Sequence, residues 1–249
     1  MRAPVEPSID FDRVYADHAD AYDALVRAED CDGRLLPALE AIASLAEARV
    51  VEVGAGTGRI TALLLSRGAR VVAVERAPAM LRVARRRVAG LADEHCALIR
   101  ADALALPVGS GWAGVALAGW VFGHLRSWHA ATWRESIARA IGELDRALRP
   151  GGTLIVIETL GTGEERPRPP TPELAEYYAW LERAQGMRRT WIRTDYRFSD
   201  CETAARATAF FFGDEFAARV RRRGGSRISE CTGLWWRSRR AGDESAARG

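Results

Sequence analysis

The chain of 249 residues contains no lysine and no asparagine, so all 36 of its basic side chains are arginine. Without lysine there can be no P-loop lysine beneath a phosphate, no Schiff base to pyridoxal phosphate and no Ser–Lys dyad. Without asparagine there is no N-glycosylation acceptor. An excess of one charge sign is also missing. The arginines are interleaved with 33 acids, leaving a net charge of +3. That balance argues against nucleic acid as the main partner, which calls for a concentrated basic face. Only Arg221–Arg223 and Arg237–Arg240 are dense, and they read as solvated helix and tail charge. Cys31, Cys96, Cys201 and Cys231 are scattered with no CxxC pair, so reduced thiols and no metal site are expected. Long apolar runs are lacking too. The longest, around Trp112 to Leu125, is too short and too rich in glycine to span a bilayer. The opening MRAPVEPSIDFDR has no apolar signal core. The expectation is a soluble, cytoplasmic protein with no membrane partner; nothing in the sequence speaks to its oligomeric state.

What is present is an alternation. Residues 12–46 read as helical, with Gly33 separating two helices. Short apolar strands follow at Val50–Val53, Val71–Val74, Ala97–Ile99, Gly114–Val121 and Thr153–Thr159. Helices read between them from Ile60 to Leu65, from Pro78 to about Val88, and from Trp133 onward. Pro78 suits a first helical turn, and Thr132 with Glu135 fits a capping box. Trp133, Ile137, Ile141, Leu144 and Leu148 form the apolar stripe of that helix, which Arg149-Pro150-Gly151-Gly152 stops. Such alternation implies parallel strands with right-handed crossovers. The fold expected is α/β: a doubly wound, mostly parallel Rossmann-like sheet with helices on both faces. One domain is expected over 1–249, comprising an N-terminal helical segment (1–46), a cofactor-binding core (48–160) and a C-terminal acceptor-site cover with closing strands (161–249). In that last third, 161–172 reads as loop, Pro172–Gln185 as helix, and Cys201–Arg223 as helix broken at Gly213. Ile228–Arg237 reads as a closing strand or hairpin, while Thr190–Phe198 either joins the sheet or lies over the site.

The strongest local signal is VVEVGAGTGRI at 50–60, with Gly54, Gly56 and Gly58 between a strand and a helix. Glycine permits positive φ there and lets a ligand approach the backbone. The dinucleotide fingerprint G-x-G-x-x-G/A fails because Arg59 stands at its third small position, whereas G-x-G-x-G holds. Glu75 ends the second strand seventeen positions after Gly58, where an open α/β sheet places a carboxylate against a ribose diol. Asp102, in LIRADALALP, is placed to accept from an adenine amino group.

VEVGAGTG, VERAPAML, RADALALP and LDRALRPGGTLIVIE, in this order and spacing, resemble the class I S-adenosylmethionine-dependent methyltransferases. The likeness spans roughly 48–160, with a weaker one in FDRVYADHADAYD. It implies S-adenosylmethionine as cofactor. Glu52, Gly54, Ala55, Gly56 and Gly58 would form the loop beneath its methionine part, with Glu75 and Arg76 at the ribose. Asp102, Ala103 and Met80 would meet the adenine, and Gly119 and Trp120 the sulfonium end. Relatives often carry an acid at the start of strand four, where this chain has Gly114.

The acceptor is less legible. GWVFGHLRSWH at 119–129 follows strand four and supplies His124 as the candidate base or acceptor-orienting group. Tyr22, Trp128, Tyr177, Trp191, Arg193 and Tyr196 are candidates for the acceptor pocket, which is typically aromatic-lined. Neither an [Asn/Asp]-Pro-Pro-aromatic motif nor a Pro-Cys pair is present, so a small-molecule acceptor (O, N or C nucleophile) is expected. The alternatives are an RNA methyltransferase, which needs a continuous arginine face built from 221–227 and 237–240, and a cofactor-binding protein without catalysis.

Overall fold

The computed structural model describes residues 11–91 and 93–239. The first ten residues of the opening segment and Arg240 of the second arginine cluster lie outside the described residues. The N-terminal segment forms α1 (Phe11–Asp17), α2 (Ala19–Ala28) and α3 (Leu35–Ile42). It therefore has a break at His18 in addition to the expected one at Gly33. The alternating core follows as β1 (Arg49–Val53), α4 (Arg59–Leu65), β2 (Arg70–Glu75), α5 (Pro78–Val88), β3 (Cys96–Arg100), β4 (Ala113–Gly119), α6 (Phe122–Trp128), α7 (Trp133–Ala147) and β5 (Leu148–Thr162). The remainder comprises α8 (Pro172–Arg183), β6 (Arg188–Arg193), β7 (Tyr196–Arg197), α9 (Cys201–Phe212), α10 (Asp214–Arg223), β8 (Arg227–Ile228) and β9 (Glu230–Ser238). No helix among the described residues is long and apolar enough to cross a membrane.

The main sheet has seven strands in the order β3-β2-β1-β4-β5-β9-β6. β1 to β5 are parallel, and β9 and β6 add antiparallel to one side. The protein is thus α/β with a mostly parallel, doubly wound sheet, as the alternation implied. Successive strand side chains alternate between faces. Ala116, Ala118, Leu154 and Val156 pack under α6, α7 and α8 with Phe122, Ile137, Leu144, Tyr177 and Tyr178. Val115, Leu117, Ile155 and Ile157 pack on the other face with Leu35, Leu39, Ile60 and Leu64 of α3 and α4. Burial on both faces explains why these strands read as unbroken apolar runs.

Thr190–Phe198 divides between two sheets. β6 becomes the sheet's edge strand against β9, while β7 turns away to pair with β8 in a separate ribbon. That ribbon packs with α2, α9 and α10 through Leu25, Tyr196, Ala204, Phe216, Val220 and Ile228, forming a cover over one end of the sheet. Side-chain caps start α8 and α9. The Thr171 hydroxyl accepts from Leu174 N at 3.2 Å, and Asp200 accepts from Thr203 N at 2.7 Å. The capping box expected at Thr132 does not form, since its side chain makes no cap bond to the start of α7. That helix is held instead by its buried stripe, except that Leu148 has already passed into β5.

Candidate functional site

The site lies at the carboxyl ends of β1, β2 and β4, where an open α/β sheet binds ligands. Gly54, Gly56 and Gly58 have φ of +66°, +56° and +80°. Each has its own reason. A Cβ at Gly54 would run into Val121 Cγ2, and one at Gly58 would meet Ala84 Cα at 3.2 Å. Gly58 therefore lets the start of α4 pack on α5, while Gly56 keeps the loop open toward the cleft. The Glu75 carboxylate ties this loop to the next one. Its Oε2 accepts from Gly56 N at 3.0 Å and its Oε1 from Ala77 N at 2.8 Å.

A cavity of about 160 Å³ opens above the loop, lined by Gly54, Gly56, Glu75, Arg76, Met80, Asp102, Ala103, Gly119 and Trp120. Nine of the residues expected to hold a cofactor thus line one cleft. The other three, Glu52, Ala55 and Gly58, line neither cavity of the site. Glu52 is sealed beneath the loop, 2% exposed, and accepts a 2.7 Å bond from the Thr61 hydroxyl. Burial, reinforced by the charge of Glu75, pushes its carboxyl up to about 8. Ala55 faces inward and donates its N–H to Val74 O at 3.1 Å.

Beside this cleft is a larger cavity of about 680 Å³ under the C-terminal cover. Tyr15, Tyr22, Trp120 and His124 line both cavities and form the boundary between them. Trp120 is held at φ +53°, an uncommon conformation for a side-chain-bearing residue, and the Arg59 guanidinium lies 4.5 Å from its ring. His124 Nε2 is 2.8 Å from the Tyr15 hydroxyl, and the ring stacks on Trp128 at 5.2 Å. Burial, with Arg76 nearby, pushes the imidazole down to about 4. It is neutral at physiological pH and a weak base, suited to orienting a hydrogen bond more than to removing a proton.

Of the candidates for the acceptor pocket, Tyr22 and Tyr196 line the large cavity, and Trp128 lines only the smaller one. Three lie elsewhere. Tyr177 is in the core, its hydroxyl donating to Glu158 Oε1 at 3.3 Å. Trp191 stands 42% exposed on the edge strand β6. Arg193 is engaged by Asp195 at 2.7 Å and Glu165 at 2.8 Å. β6 is the edge strand of the sheet and its first four residues are exposed, which leaves Trp191 at the surface and Arg193 outside both cavities.

Sequence reasoning missed Phe11, Tyr15, Glu29, Glu158 and Glu230, all lining the large cavity, and did not choose Phe211 and Phe212, which line it too. A signal existed for two of them. Glu158 in TLIVIETL and Glu230 in RISECTG are acids in otherwise apolar or small-residue strands. Such a position is rare without a role.

A family model described as "Methyltransferase domain" matches residues 51–156, the stretch that builds β1 through β5 and the glycine loop. That stretch, a little under half of the chain, is similar to the methyltransferase domain family. A demethylmenaquinone methyltransferase of Clavibacter sepedonicus is 32% identical to this chain over 124 residues, covering 47% of this chain and 44% of that protein. The matched stretch is thus less than half the length of that curated relative. Among solved structures, the YcgJ protein of Bacillus subtilis superimposes with a TM-score of 0.58 at 15% identity, over 84% of this chain and all of that one, 100%. A SAM-dependent methyltransferase of Aquifex aeolicus does so with a TM-score of 0.51 at 16% identity, over 91% of this chain and 93% of that one. At these identities the structural likeness concerns the fold.

Proposed function

We propose that this chain binds S-adenosylmethionine in the glycine-loop cleft and transfers its methyl group to a small molecule seated in the adjoining chamber. The observation that carries this reading is the shared wall. A cofactor-sized set of loop glycines and carboxylates abuts a separate aromatic chamber, and four side chains line both.

The residues present suit the cofactor. Gly54 and Gly56, both at positive φ, present a backbone loop to the cleft, and each Glu75 oxygen keeps a lone pair after its single backbone bond. Two ribose hydroxyls can donate to that carboxylate, the Asp102 carboxylate faces the cleft, and Met80 lies against its floor. When bound, the cofactor supplies a methyl group on a sulfonium already activated for displacement. The chain's contribution is then alignment and exclusion of water, which is where most of the advantage of an in-line displacement arises. Trp120, pinned by its backbone bond to Ile157 O at 2.7 Å, and the Tyr15–His124 pair shape the passage between donor and acceptor.

An RNA acceptor would call for a continuous arginine face. Among the described residues, four of those arginines are instead engaged within the chain. Arg221 pairs with Glu202, Arg227 with Asp195 and Asp32, and Arg237 with Asp145, while Arg223 donates to Gly163 O. A small molecule is the acceptor that the enclosed chamber supports, in keeping with the relative named for demethylmenaquinone.

The test is release of S-adenosylhomocysteine from S-adenosylmethionine across phenols, quinols, amines and RNA fragments. Turnover is expected with a small molecule. Turnover with RNA alone would overturn the reading, and so would calorimetry that finds no S-adenosylhomocysteine binding.

A further inference from the structure

Within the acceptor chamber the notable feature is its charge. Glu29, Glu158 and Glu230 all line it, and all three are buried. A buried carboxylate costs several kcal/mol unless a cation or a full set of donors compensates it. Glu29 has its cation, since Arg59 Nη1 lies 2.9 Å from its Oε2. The other two do not. Glu158 accepts only from neutral donors, Gly123 N at 2.9 Å, the Tyr177 hydroxyl at 3.3 Å and the Phe122 backbone N–H. Glu230 Oε1 accepts from the Thr159 hydroxyl at 2.7 Å, while its Oε2 is buried without a well-formed bond; Thr162, Thr159 and, more distantly, Arg59 favour its ionised form, but burial and the charge of Glu29 outweigh them. Among the described residues neither Glu158 nor Glu230 has an ion-pair partner. The remaining cations of the chamber wall form no ion pair with either glutamate: Arg126 pairs with Glu176 at 3.3 Å, its Nε buried without a hydrogen bond, and Arg219 lies over the Phe216 ring of the same wall.

We infer that the methyl acceptor is a basic amine carried on an apolar body, recognised as an ammonium by Glu158 and Glu230. This inference rests on the chamber being the acceptor site. A purely structural carboxyl would be walled off by packing, yet both of these line a cavity of about 680 Å³, within the range of small-ligand pockets of roughly 300–1,000 Å³. The aromatic wall adds to the preference, because ring faces attract a desolvated cation. An acidic acceptor would place negative charge beside two further acids, and a neutral quinol would leave both of them in their protonated, neutral form. Burial pushes Glu158 and Glu230 up to about 8, so both hold protons at neutral pH without a ligand. An ammonium favours their ionised forms. The same carboxylates can then take up the proton that an ammonium must shed to expose its nitrogen lone pair, leaving a neutral amine and a carboxylic acid. All three glutamates lie outside the 51–156 stretch matched to the family, so the family likeness leaves the acceptor open.

The test is calorimetry on the full chain saturated with S-adenosylhomocysteine. The probes are 2-phenylethylamine and 4-phenylbutylamine, the matched alcohols, the matched carboxylates, and 1-naphthol as a neutral phenol. An amine is expected to bind about tenfold or more tighter than its alcohol, the margin that one charge-assisted hydrogen bond supports. Glu230→Gln and Glu158→Gln should each cut amine affinity by about tenfold and leave alcohol affinity within about twofold, because each removes charge at nearly constant shape. The inference is overturned if no amine binds, if an alcohol, carboxylate or naphthol binds as tightly as the amines, or if both variants keep wild-type amine affinity. The wild-type comparison of amine with alcohol stands even if a variant fails to fold. Failure of S-adenosylhomocysteine to bind would sink the cofactor assignment instead, and the same probes titrated without it still decide the amine question.

Discussion

Glu52 offers a test of how the loop is built that is separable from catalysis. The perturbation is Glu52→Gln, which keeps an acceptor for the Thr61 hydroxyl and removes the ionisable group. In the folded chain burial holds this carboxyl at about 8, against the ordinary 4.5. Below pH 4.5 both folded and unfolded chains carry the proton, and ionisation contributes nothing to stability. As pH rises through 4.5 the unfolded chain loses its proton while the folded chain keeps it. The folded state then binds more protons, so stability falls as pH rises until about pH 8, where the loss levels off. At about 1.4 kcal/mol per decade the ceiling is roughly 5 kcal/mol. Relaxation and water penetration reduce it, and about 2–3 kcal/mol at pH 8 is expected. For a chain of this size that corresponds to a rise in Tm of roughly 5–10 °C in the variant at pH 8, shrinking toward zero at pH 4.5. Paired thermal melts of wild type and variant from pH 4.5 to 8.5 measure the difference directly. An equal difference at pH 5 and pH 8 would refute the argument that Glu52 is folded in its neutral form. The same variant should bind S-adenosylhomocysteine with affinity within about twofold of wild type, because an interaction that is not made leaves binding energy unchanged.

Three further outcomes are expected. Glu75→Ala removes the carboxylate assigned to the ribose and should weaken S-adenosylhomocysteine binding by about 1.5–3 kcal/mol in calorimetry, the range for a hydrogen bond to a charged group. Unchanged affinity would remove Glu75 from the site. Gly54→Ala forces a side chain into Val121 at positive φ and should either lower Tm by several degrees or abolish cofactor binding, with both read from one ligand-shifted melt. Asp195→Ala leaves Arg193 and Arg227 without the carboxylate they share and frees Glu230 N, at a cost of about 2 kcal/mol in urea unfolding. A variant as stable as wild type would show that this pair of arginines finds partners elsewhere.

Local chemistry made the cofactor half readable. A strand buried on both faces must be apolar for four or five consecutive residues, and a turn at positive φ must be glycine, so β1, β2, β4, β5 and the loop at 54–58 announce themselves in one dimension. Nine expected residues, from Gly54 to Trp120, line one cleft for that reason. The three that do not fail on direction. Glu52 alternates to the underside of its strand, Ala55 turns its amide to β2, and Gly58 serves the packing of α4 on α5.

The acceptor half was not legible in the same way. Its chamber gathers Tyr15 and Glu29 from the first helices, Glu158 from the end of β5, Phe211 from α9 and Glu230 from the start of β9. No periodicity links positions so far apart in the chain, and their meeting depends on β9 and β6 inserting antiparallel beside β5 while β7 and β8 turn away. By itself, the sequence determined the alternating sheet, the glycine loop and the acids at its strand ends, because each is a requirement of backbone geometry or of burial over a few neighbouring residues. Only the tertiary structure decided which aromatics face the chamber, that His124 is neutral and tied to Tyr15, and that two glutamates are buried beside a cavity without a cation. Those are properties of the space enclosed between segments, and the desolvation that defines them exists only once the cover has closed over the sheet.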